Sequence, residues 1–263
     1  MAMSESALAR SETDWAIVHA AAALFVAFYG SSAAGMLMMA RARGMAPPPL
    51  EILVRAALTR AHRLLLVLLV VGVVAVLLAG LLLGALWLCR LGGVGPLLYV
   101  LVVPAGVALC GAAAVASVAV VAPLAAPSVW AGCSVPESLR MMWHVVRRRL
   151  VLAAMLTVAL SLLVGLVGAM SSFGVLAGGK VVAEASALLG LDVPVPVLMA
   201  SLTGVGLRGL VQAGLTEVTP HVVAAAIGGG LVFIGVLVMS ALVYLRGVCE
   251  MFLALSESLA RRD

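Results

Sequence analysis

Five uncharged apolar stretches, residues 15–39, 64–89, 97–121, 150–176 and 222–245, constrain this chain more than anything else in it. At 1.5 Å per residue each is long enough to cross the about 30 Å of a bilayer's hydrocarbon. No Asp, Glu, Lys or Arg lies inside any of them. With 65% hydrophobic and 10% charged residues, and a mean hydropathy of +1.26, there is too little charge to cover a soluble core of this size. In lipid a helix satisfies its own backbone, so the expected fold is all-α: a polytopic transmembrane helical bundle in one integral membrane domain, 1–263. The polar start, MAMSESALARSETD, lacks a short basic head and a small-residue cleavage site, so the first span is expected to be retained.

Charge is concentrated beside the spans. Residues 134–149 read as a short basic helix: Ser134 and Glu137 have capping-box spacing, and Pro136 is tolerated in the first turn. Leu139, Met142, Trp143 and Val146 make an apolar stripe, with Arg140, His144, Arg147 and Arg148 to the other side. Arg147, Arg148 and Arg149 abut the next apolar run, as juxtamembrane anchors do. Residues 50–63 repeat this pattern more weakly, with Leu50, Leu53, Val54, Ala57, Leu58 and Ala61 opposite Arg55, His62 and Arg63. Both are expected to lie in the cytoplasmic headgroup layer, with Arg55, Arg63, Arg140, Arg147, Arg148 and Arg149 reaching anionic phospholipid. The net charge of +5 therefore reports topology and lipid contact, not nucleic acid.

The arginine-rich loops precede residues 64 and 150, while the turn after the second span holds Arg90. Five spans with the N-terminus outside and the C-terminus cytoplasmic satisfy this bias, as expected of a bacterial inner-membrane protein. Residues 177–221 are the least regular and read as an irregular outside hairpin. A sixth or re-entrant segment over 196–215 is the alternative, and would bury Arg208. Thr219 and Pro220 cap the start of the last span. Small residues at helical spacing mark faces for close helix contact: Ser31 with Gly35, Gly80 with Gly84, Ala108 with Ala112, and Ser161 with Gly165.

When the second basic helix is moved back so that Glu137 falls on Glu51, Leu139 falls on Leu53, Arg149 on Arg63 and Leu150 on Leu64, which suggests two span–basic helix–span units. The order of a proline-ended span, the segment SVPESLRMMW from Ser134 to Trp143, RRRL into the next span, and VYLR from Val243 to Arg246 resembles the bacterial polytopic family around the membrane domain of glycerophosphoryl diester phosphodiesterases. The resemblance covers about half the chain, which has no catalytic phosphodiesterase domain. It implies a multi-pass inner-membrane protein without its own active site.

Chemistry is sparse. Cys89, Cys110, Cys133 and Cys249 are scattered, with no ligand or disulfide spacing, and neither HExxH nor GxSxG occurs. Gly204, Gly206 and Gly209 match GxGxxG by letter only, with no preceding strand. No catalytic residue, metal site or cofactor is expected. The leading expectation is a non-catalytic subunit or scaffold that packs against other membrane protein subunits and lipid headgroups. A permease component is the alternative, and a lipid-modifying enzyme using His62 or His144 ranks third.

Overall fold

The computed structural model describes residues 2–90, 94–190, 193–212, 214 and 219–260, and among these no strand occurs. The helices are α1 (Ala2–Ala42), α2 (Leu50–Leu88), α3 (Gly95–Ala116), α4 (Ala122–Trp130), α5 (Val135–Leu188), α6 (Val195–Leu202), α7 (Leu207–Gln212) and α8 (Pro220–Ala260). A π-helical turn, Ser117–Val121, joins α3 to α4. Five helical segments among the described residues are long and apolar enough to span a membrane, as the five apolar runs require. Asp192 and Glu217, part of the irregular hairpin read from sequence, lie outside the described residues.

Several boundaries differ from the sequence reading. The stretch 50–63 is not a separate helix: α2 runs unbroken for 39 residues into the second span. The stretch 134–149 is set apart, because α5 breaks its helical backbone at Arg149 (φ −140°, ψ 22°). Pro123 and Pro127 lie within helix, in α4, which continues the π turn without a break, so Pro123 withholds the N–H that would otherwise reach the Ala119 carbonyl. The fourth span's helix continues to Leu188. Between it and α8 lie only the eight-residue α6 and six-residue α7, each far too short to cross hydrocarbon alone. Thr219 does cap α8, its hydroxyl accepting from the Val222 N–H at 3.2 Å.

The chain divides into two compact units, Met1–Thr157 with Leu245–Asp263, and Val158–Tyr244. In the first, helix α4 is the centre. Its Pro123, Leu124, Ala125, Pro127, Ser128, Val129 and Trp130 are all buried. Helices α1 and α2 pack on it, and the other buried side chains of the unit include Met36 and Met39 of α1, Leu53, Ala57 and Ala61 of α2, Met142 and Val145 of α5, and Phe252 and Leu255 of α8. Gly35 lets the Trp130 ring lie against α1, since a Cβ there would stand 2.5 Å from that ring. The π turn frees a carbonyl that the bundle recaptures: Thr157 Oγ1 donates to Ala119 O at 3.2 Å.

In the second unit, α6 is held between α5 and α8. Leu202 and Ser201 of α6 fill the space that side chains on Gly179 and Gly229 would need. Val197 and Val222 are fully buried with Ala200, Leu207 and Ala226 around them. The turn after α6 is made at Gly204 (φ +87°), against the Phe233 ring, a conformation and a contact that leave no room for a Cβ.

Candidate interface at the basic end

The basic lead-in of α5 is built as its residues suggest. The Ser134 N–H donates to Glu137 Oε2 at 2.7 Å, closing the glutamate half of the capping box. That bond, with the Ser134 side chain, lowers the Glu137 carboxyl from its ordinary value. Beyond the cap, Ser138, Met142 and Val145 face the core. Trp143, on the apolar stripe, lies 59% exposed, and the Arg147 guanidinium sits 5.9 Å from its ring centre. Ring and cation are both turned away from the protein. Ser138 Oγ is buried without a hydrogen-bond partner, and nothing in the structure explains it.

Arg55, Arg140, Arg147 and Arg148 are exposed, and Arg63 and Arg149 half-buried. Among the described residues none of the six pairs with a carboxylate. Their charges stay available to anions. Leu50, Val54 and Leu58 of the α2 stripe are also exposed, leaving apolar surface beside Arg55. Two arginines that sequence reasoning did not single out serve the protein itself. Arg43 donates to Ala131 O at 3.4 and 3.5 Å, closing the end of α4, and the Arg60 guanidinium lies beside Gly132. Between them the Cys133 thiol is pushed up by burial and the Glu137 charge, with Arg43 opposing.

The small-residue faces divide sharply. Gly35 packs, but its expected companion Ser31 is exposed; Ser32, one residue on, is the buried one. Gly80, Gly84 and Gly165 have nothing within 4 Å of an added Cβ, and Ala108, Ala112 and Ser161 are exposed. Contacts within the chain run through neighbouring positions instead. A Cβ on Gly106 would stand 2.7 Å from Leu82 Cδ1, and one on Gly168 would stand 3.3 Å from Ser240 Oγ. A shallow apolar groove of about 280 Å³ lies between α2 and α3, lined by Leu82, Leu86, Tyr99, Val102 and Gly106 among others.

Among the described residues no three His, Cys, Asp or Glu side chains gather as metal ligands. Fold and surface together define a multi-pass, all-α membrane protein. No family model matches the chain, and neither a curated protein nor a solved structure matches it.

Proposed function

We propose that this chain is a non-catalytic, multi-pass membrane subunit or scaffold, holding other membrane proteins through its spans and anionic lipid through its basic end. One observation carries the reading: only 6% to 22% of the residues in each span's most apolar stretch are buried by the chain itself. Among the open positions are the small-residue pairs Gly80 with Gly84 and Ala108 with Ala112, which admit a helix backbone closely. The unpaired arginines beside Trp143, Leu50, Val54 and Leu58 supply the lipid-facing counterpart. On this reading the basic end is cytoplasmic, the membrane is a bacterial inner membrane, and the likeness of SVPESLRMMW to the phosphodiesterase membrane-domain family belongs to a chain without its own active site.

The test is affinity capture of the tagged protein from mild detergent with mass spectrometry of what accompanies it. Defined membrane proteins at fixed ratio are expected; a chain that always emerges alone would overturn the proposal. The half-length helix α6, seated on glycines of α5 and α8, favours a second reading, a permease component built around a broken helix. Solute flux through vesicles containing the purified protein, abolished by Gly179→Leu, would favour the second reading over the first.

A further inference from the structure

The ion pair between Arg246 and Glu250 lies deeper than the other arginines of the basic end. Thr157 stands eight residues beyond Arg149 along α5, about 12 Å along the helix axis. Its hydroxyl meets Met251 Sδ at 3.9 Å. In a chain whose spans alternate, α8 runs opposite to α5, so residues before Met251 lie still farther from the level of Arg149. Arg246 is five residues back, which places it about 20 Å from that level. A second, independent contact agrees. Cys249 Sγ lies 3.9 Å from Gly35 O of α1, which runs in the same direction as α8. That sets Arg246 beside Ser32, nine residues before Arg41, or about 13 Å.

If Arg147–Arg149 sit at the headgroups, as the proposed function holds, and Arg41 at the end of α1 sits with them, both registers put Arg246 within hydrocarbon about 30 Å thick, with Glu250 one turn nearer the headgroups. An arginine side chain, about 6–7 Å long, does not reach the phosphates from there. Arg246 Nε donates to Glu250 Oε1 at 2.9 Å, and the two side chains are 66% and 55% exposed, so they face away from the chain. The remaining guanidinium N–H groups and carboxylate lone pairs have no partner among the described residues. In lipid such groups must be satisfied, and charges at depth are held by pairing.

We propose that Arg246 and Glu250 form an in-membrane contact through which two copies of this chain associate about a two-fold axis along the membrane normal. The pair is neutral overall, with opposite charges one helical turn apart on one face. A second copy brings the complementary arrangement: along the axis each Arg246 is offset by four residues, about 6 Å, from Glu250 of the other copy, and their side chains can bond across the gap between the helices. Ala254, one turn beyond Glu250 and exposed, keeps that face low enough for two α8 helices to approach.

Two differently tagged full-length copies, coexpressed and captured in succession from mild detergent, test this. Wild-type copies are expected to capture each other. Arg246→Glu alone or Glu250→Arg alone leaves like charges facing across the axis, and capture should fall at least about tenfold. Coexpressing the Arg246→Glu copy with the Glu250→Arg copy should restore it, because an all-acidic face then meets an all-basic one. The neutral double variant R246Q/E250Q, checked for an unchanged melting temperature, separates lost contact from lost fold and should also capture poorly. The proposal is overturned if wild-type copies do not capture each other, if single swaps leave capture intact, or if mixed swaps fail to recover it. Other membrane proteins retained by the swapped variants would leave the scaffold reading standing without the dimer. Copies that capture each other but nothing else would remove the scaffold reading alone.

Discussion

The two basic lead-ins, at the starts of α2 and α5, align residue for residue at Glu51 with Glu137 and Arg63 with Arg149, yet their backbones behave differently. In α2 the buried residues Leu53, Ala57, Ala61 and Val67 stay in phase, with Leu53 and Val67 two heptads apart, so one straight helix carries a single face from headgroup level into the span. In α5 the buried residues Ser138, Met142 and Val145 give way to Ala153 and Leu160. At about 100° per residue Ala153 lies within about 20° of Met142 and Leu160 in line with it, so the buried face keeps its direction across the break at Arg149. Similar composition thus yields an unbroken lead-in in one place and a broken one in the other, and the phase of the buried residues does not decide which.

The largest expected effect tests that break directly. Leu64→Pro falls inside the unbroken α2 and should cost about 3 kcal/mol or more. Leu150→Pro falls at the first residue after the break, where a helix tolerates proline, and should cost much less. Unfolding in mixed micelles with a denaturing detergent measures both; equal losses would break the comparison. Next comes lipid binding. Replacing Arg147, Arg148 and Arg149 together by Gln should weaken anionic lipid retention by about 3 kcal/mol, and Arg55 with Arg63 by about 2. Native mass spectrometry with anionic and zwitterionic lipid reads the difference, and no preference for anionic lipid in the wild type would remove it.

A smaller effect concerns Ser138, which has no counterpart in α2. Ser138→Ala removes a buried hydroxyl without a partner, and should be neutral or stabilise by up to about 1 kcal/mol. A clear loss in the same unfolding assay would show that the hydroxyl has a partner in the membrane. The smallest effect is pH-dependent. Glu137 has a lowered folded-state pKa, so its contribution is present above the ordinary carboxylate value and fades as pH falls through the lowered one. Protection of the first α5 amides from hydrogen exchange should therefore weaken below about pH 4.5, and Glu137→Gln should abolish that dependence. The α2 lead-in starts at Pro49 with no side-chain cap, and should show no such loss.

Particular residues show what was legible. The Ser134–Glu137 cap and the Thr219–Pro220 start were readable because capping is local, set within three or four residues. The packing faces were not. Ser31 and Ser32 are equally good small residues on paper, and only the rotation of α1 about its axis buries the second. Gly80 and Gly84 have the spacing of a contact motif but face outward, while Gly106 and Gly168 carry contacts within the chain. Which apolar side chains of a lead-in face the chain's own core was not legible either: Met142 is buried, whereas Trp143 and Leu50 are exposed.

The amino-acid sequence by itself determined an all-helical chain with five apolar segments long enough to span a membrane. Hydrocarbon leaves backbone groups no other partner, and this makes span length and composition sufficient. Only the tertiary structure decided that α2 runs unbroken and α5 does not, that α4 lies buried at the centre of its unit, and that Arg246 sits about 13 Å inside the level of Arg41. Those outcomes depend on how each helix is rotated and offset against its neighbours, quantities set by packing between distant segments and not by any local stretch of residues.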